Sequence, residues 1–105
     1  MKMKELCNDE RPREKLLEKG PEALSNAELI AIMLRTGTGK MNAIDLGREL
    51  LRSGGGTLNS VAAMPLERLC ALDGIGPGKA ATVVAAFELG RRAFSENTSD
   101  GMRKV

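Results

Sequence analysis

The chain contains no histidine, tryptophan or tyrosine. Histidine is a frequent general base and the commonest metal ligand, so its absence argues against hydrolytic chemistry and against a zinc centre. The sequence also has no recognisable pair of nucleophile and base. We therefore predict that this chain is not an enzyme and holds no metal or other cofactor.

Cysteine and aromatic residues are scarce. Cys7 and Cys70 are too few for a disulfide framework, and we interpret both as reduced thiols. Aromatic residues make up 2% of the chain, which argues against a single-strand platform that stacks bases on rings. Phe87 and Phe94 lie seven residues apart on a helical pattern, so we predict that both belong to the core.

Long apolar runs and a strong net charge are also missing. No segment approaches the roughly 20 apolar residues that cross a bilayer, so we expect a cytoplasmic protein without membrane contact. The net charge is +2, too small to indicate a nucleic-acid binder by itself. The charge is uneven, because residues 11–20 and 35–52 each carry +2 whereas residues 21–34 carry −2.

What the sequence does contain is a series of helix start and stop signals. A capping box at residues 25–28 predicts a helix over 26–35, and a second helix is predicted from Lys40 to Ser53. Pro77 opens the longest helix, which we expect to end near Phe94. The predicted fold is all-α, a tandem helix-hairpin-helix bundle of about five short helices with a polar N-terminal arm.

These signals divide the chain into three parts. Residues 1–20 form a basic arm with a short helix, and residues 21–94 form the tandem helix-hairpin-helix domain. Residues 95–105 are polar and unpatterned, which predicts a linker or tail.

An internal repeat is the most informative feature. Residues 37–43 and 74–80 both read G-x-G-x-x-x-A, 37 residues apart, and each leads into a helix. The first amides of a helix lack partners within it, and with the helix dipole they form an anion site that glycines leave open. The amides of Gly76, Gly78 and Lys79 are the best candidates, with Lys79 and Lys40 as nearby cations. Glycine turns also join packed helices that bind no ligand.

Two stretches carry a family resemblance. Residues 72–80, L-D-G-I-G-P-G-K-A, resemble the helix-hairpin-helix signature of DNA-binding proteins. Together with residues 11–17, 24–29 and 34–39, they make roughly residues 11–94 similar to the N-terminal region of the bacterial RadC family. The resemblance implies a context in DNA repair or recombination. It also implies a partner, a C-terminal JAB/MPN-type zinc-metalloprotease-like domain, which this histidine-free chain does not contain.

The resemblance further implies which residues contact the phosphate backbone of DNA. These are Gly74, Ile75, Gly76, Gly78, Lys79 and Ala80, and less directly Gly37, Thr38, Gly39 and Lys40. Helix-hairpin-helix glycosylases carry a catalytic lysine four residues after the first glycine of the turn, where this chain has Gly78, so glycosylase chemistry is not expected.

Two functions remain open at this point. The paired glycine turns favour a module that binds the DNA backbone without sequence specificity. The low net charge and the scarcity of aromatic residues favour the alternative, a protein-interaction or regulatory domain for the JAB/MPN-type domain.

Overall fold

A computed structural model of the chain describes residues 10–104, with side chains for residues 10–96. Within that range the chain is all-helical, as predicted, and contains no strand. A short 3-10 helix, Pro21–Ala23, follows the first of six α-helices, which are α1 Arg11–Lys19, α2 Asn26–Leu34, α3 Ala43–Gly54, α4 Leu58–Ala62, α5 Leu66–Cys70 and α6 Pro77–Lys104.

The start of α2 is fixed by the predicted capping box. The Ser25 hydroxyl accepts a hydrogen bond from the Glu28 amide at 3.1 Å, and the Glu28 carboxylate accepts one from the Ser25 amide at 2.8 Å. The same carboxylate accepts a hydrogen bond from Lys15 Nζ at 3.2 Å, which ties α1 to the N-terminal end of α2. The Ser25 amide, and then Lys15, hold the pKa of Glu28 below its usual value.

This lowered pKa predicts a specific acid sensitivity. Because the pKa of Glu28 is lower in the folded than in the unfolded chain, its contribution to stability is present above the unfolded value and is lost as the pH falls through the folded value. We expect Glu28→Gln, which can still cap, to remove up to about 1 kcal/mol at pH 7 and progressively less as the pH falls. Urea unfolding of both proteins at several pH values measures this difference, and a constant difference across pH would contradict the prediction.

The centre of the fold is the packing of α2 on α3. Gly47 lets the two helices approach closely, since a Cβ at this position would lie 2.8 Å from the carbonyl oxygen of Ala27. Ala43 and Ala80, the small residues that end each repeat, are fully buried. The core is built from ten buried residues of α2–α6 and their connections, namely Ile30, Leu34, Leu46, Leu50, Val61, Met64, Leu69, Ile75, Ala80 and Val83.

Two predictions about the last helix were wrong. The helix does not end near Phe94 but continues to Lys104, because an established helix propagates through polar residues without an apolar face to bury. Phe94 is not a core residue; it is 75% exposed, since this part of α6 extends beyond the helices that cover Phe87. Cys70 is a half-buried free thiol beside the core, and Cys7 lies outside the described residues.

No helix among residues 10–104 is both long enough and apolar enough to span a bilayer.

Candidate nucleic-acid interface

The second glycine turn joins α5 to α6 and is anchored by two buried residues. Ile75 is 2% exposed, and its amide donates to the Leu72 carbonyl at 3.0 Å. Ala80 is fully buried, and its amide donates to the Gly76 carbonyl at 2.9 Å. Ile75 and Ala80 were both predicted as site residues. The structure places their side chains in the core and pairs their amides, so they position the turn and offer a ligand no donor.

Three other amides of this turn, those of Gly76, Gly78 and Lys79, have no hydrogen-bond acceptor within the described part of the chain. Gly76 directly precedes the first residue of α6 and has no side chain that could cap the helix. These donors therefore stand at the positive end of the helix dipole, the arrangement that binds anions.

The glycines of this turn meet different requirements. Gly74 has a φ of +87°, and a Cβ there would lie 2.8 Å from Thr38 Cγ2, so both backbone conformation and packing require glycine. At Gly76 and Gly78, φ lies outside the left-handed region and an added Cβ would meet no atom within 4 Å. Neither the backbone nor the packing of the folded chain requires glycine at these two positions.

The unpaired amides border an open groove of about 490 Å³ between the C-terminal end of α2 and the first turns of α6. Lys79 extends across it, and its Nζ donates to Thr36 Oγ1 at 3.4 Å. Arg35 is exposed on the opposite wall. The groove combines backbone donors with two cationic side chains, and it is lined by Met33, Leu34, Arg35, Thr36, Gly76, Gly78, Lys79 and Thr82.

Arg35 was not among the predicted site residues. It has a φ of 72° and a ψ of −51°, and the Thr36 amide donates to the Leu34 carbonyl at 2.8 Å. This is a γ-turn of the rare, strained hand, and strained backbone is concentrated at functional sites. The sequence places Arg35 in a basic segment at the end of α2, but it contains no signal for the γ-turn.

The amides of the first glycine turn, between α2 and α3, are hydrogen-bonded within the turn. Thr38 Oγ1 accepts hydrogen bonds from the amides of Lys40 and Met41 at 3.0 and 3.1 Å. The predicted helix start at Lys40 was wrong, because the Asn42 side chain accepts from the Asp45 amide and caps a helix that begins at Ala43. The amide of Lys40 therefore belongs to the loop and not to a helix N-terminus.

Gly37 and Gly39 contribute differently to this first turn. A Cβ on Gly37 would collide with the backbone of Met41 and Asn42, whereas one on Gly39 would meet nothing within 4 Å. Since Thr38 also packs against Gly74, the first turn supports the second. The two predicted sets of site residues thus lie side by side, but only the second presents a row of unpaired amides at the start of a helix.

Comparison with known proteins identifies the family. Residues 3–81 match the family model described as UPF0758 N-terminal. The chain belongs to the UPF0758 family. UPF0758 is the RadC family, so the resemblance drawn from the sequence is confirmed.

Individual UPF0758 proteins cover most of this chain. It is 47% identical to one from Polaromonas sp. over 100 residues, which is 95% of this chain and 44% of the relative. It is 53% identical to one from Dechloromonas aromatica over 87 residues, 83% of this chain and 38% of the relative. The chain therefore spans less than half the length of these UPF0758 relatives. No solved structure matches it significantly.

Proposed function

We propose that this chain binds the phosphate backbone of DNA at the α5–α6 turn, without sequence specificity. The observation that carries the proposal is the pair Gly76 and Gly78. They expose unpaired amides, and yet neither packing nor backbone conformation requires glycine at either position. Gly78 is the second residue of α6, where glycine lowers helix stability relative to alanine. The presence of glycine there is best explained by a partner that approaches the backbone closely.

The chemistry of the groove fits a phosphate diester. Backbone N–H groups at a helix N-terminus bind phosphate oxygens, and such contacts position a protein on DNA without reading its sequence. Lys79 and Arg35 add positive charge on two walls of the groove. With two to four phosphate contacts, the module would hold DNA weakly, in the range of about 10⁻⁴ to 10⁻⁶ M at physiological salt. This role requires no catalytic residue from the chain.

A titration of labelled duplex DNA at two salt concentrations tests the proposal. Release of counterions from two to four phosphates lowers the affinity by about 10- to 150-fold between 50 and 200 mM salt. Duplexes of different sequence should bind equally. An affinity that is independent of salt, or no binding at 100 µM protein and low salt, would rule out the proposed function.

Replacement of the groove lysine gives a smaller, graded effect. We expect Lys79→Ala to weaken binding by about 10-fold, which corresponds to the lower limit for one charged hydrogen bond, equally for all duplex sequences. The slope of log affinity against log salt should fall by about 1, because one phosphate contact is lost. Lys19→Ala is the matched control, since this exposed lysine lies on α1, which packs at the opposite end of α2. Equal losses in the two variants would show that only total charge matters.

A further inference from the structure

A second groove, of about 490 Å³, lies between α4, α5 and α6. Its floor consists of the buried core residues Val61, Met64, Leu69 and Val83. Its rim includes Leu66 at the start of α5, which is 48% exposed, and Val84 on α6, which is 38% exposed. Two different helices therefore expose apolar side chains at the same opening.

This arrangement differs from ordinary surface exposure. Single exposed apolar residues are common in folded proteins, whereas apolar side chains from two helices around one opening can pack together against a partner's apolar side chain. Among the described residues, the charged ones that line the groove are Glu88 and Arg91, and they pair with each other at 2.8 Å. Apolar contact, and not charge, must therefore drive any association here.

The groove is displaced along α6 from the proposed DNA site. On α6 it is lined by residues between Val83 and Arg91, whereas the groove at the α5–α6 turn is lined by Gly78, Lys79 and Thr82, and the two grooves share no lining residue. An occupant of the α4–α5–α6 groove would leave the unpaired amides of Gly76 and Gly78 accessible.

The lengths of the relatives indicate what the occupant is. The matching family model is that of the N-terminal region, and more than half of the Polaromonas relative lies outside the region shared with this chain. The shared region covers 95% of this chain and so includes most of α6, the helix that forms one wall of the groove. In full-length proteins the following region is thus part of the same chain as that wall. This covalent linkage raises its effective concentration at the groove, so that a small apolar contact can persist.

We infer that the α4–α5–α6 groove is the docking surface for the region that follows it in full-length UPF0758 proteins, and that this region inserts apolar side chains between Leu66 and Val84. The inference does not depend on DNA binding, because the two surfaces are lined by different residues.

Hydrogen exchange in the 105-residue chain and in a full-length protein, made by joining this chain to the remaining region of the Polaromonas relative, tests the inference. In the full-length protein we expect amides of residues 61–69 and 83–91 to exchange at least about 10-fold more slowly, and residues 76–79 to be unchanged. Leu66→Glu in the full-length protein should abolish this protection. Leu17→Glu is the control, since Leu17 is 76% exposed on α1 and does not line the groove.

Thermal unfolding of the isolated variants separates docking from folding. Leu66 is the exposed first residue of α5, where an acidic side chain is favourable, so Leu66→Glu should leave the melting temperature of the 105-residue chain unchanged. If Leu66→Glu lowers the melting temperature, Val84→Glu takes its place as the variant that should abolish the protection. Equal exchange in the short and full-length proteins, or protection that survives both substitutions, would overturn the inference. Protection that appears in the short chain with rising concentration would also overturn it, because the occupant would then be a second copy.

Discussion

Gly76→Asp should abolish DNA binding while the chain stays folded. Gly76 holds the N-cap position of α6, where aspartate is among the preferred residues, and an added Cβ meets no atom within 4 Å. The carboxylate would accept the hydrogen bonds of the amides that a phosphate would otherwise occupy, and it would repel the phosphate. Each charged hydrogen bond contributes about 1.5–3 kcal/mol, so the loss of two contacts lowers the affinity by at least about 100-fold.

Two matched variants isolate the cause. Gly90→Asp makes the same charge change on the same helix, also at a position with no atom near the added Cβ. The 14 residues from Gly76 to Gly90 place it about 20 Å away, so it should bind DNA as the parent chain does. Gly76→Ser caps the helix without adding charge, and its intermediate affinity would measure the contribution of the amides alone. If folded Gly76→Asp protein binds DNA normally, the α5–α6 turn is not the site.

Several helix ends could be predicted from the sequence because they are marked by local chemistry. The capping box at Ser25, the glycines after α3 and Pro77 at the start of α6 all act through bonds or backbone angles within a few residues. Burial on α6 depends instead on where other helices end. Phe87 and Phe94 occupy the same face, but the structure covers only Phe87, and no local pattern could distinguish them.

The internal repeat illustrates a different limit. Identical spacing predicted that each turn leads directly into a helix, but α3 begins at Ala43 whereas α6 begins at Pro77, three residues earlier relative to the repeat. The reason lies in the residues between the glycines and the alanine. Asn42 caps α3, and Thr38 pairs with the loop amides, whereas Ile75 anchors the second turn in the core. A glycine pattern shows which positions lack a side chain, but it does not show which backbone amides lack a hydrogen-bond acceptor.

Gly74→Ala should destabilise the chain more than an alanine at either of the other two glycines of the turn. Alanine at a φ of +87° is strained, and its Cβ would lie 2.8 Å from Thr38 Cγ2 and 3.0 Å from Leu46 Cδ1. A left-handed backbone conformation costs about 1–2 kcal/mol for a residue with a Cβ, and overpacking adds about 1–3 kcal/mol. The free energy of unfolding should therefore fall by about 2–5 kcal/mol, which calorimetry or urea titration measures directly.

Gly78→Ala, four residues away in the same turn, should have the opposite effect on stability. The φ of Gly78 lies outside the left-handed region, and an added Cβ would meet no atom within 4 Å. Alanine should therefore leave the stability of the chain unchanged or raise it by up to about 1 kcal/mol. The added methyl group would nevertheless occupy the groove and keep a phosphate from the amide row, so a stable variant should bind DNA less well. Gly74 would then be a glycine required by the fold, and Gly78 a glycine required by the ligand. If Gly78→Ala binds DNA unchanged, close approach to the backbone is not what keeps glycine at this position.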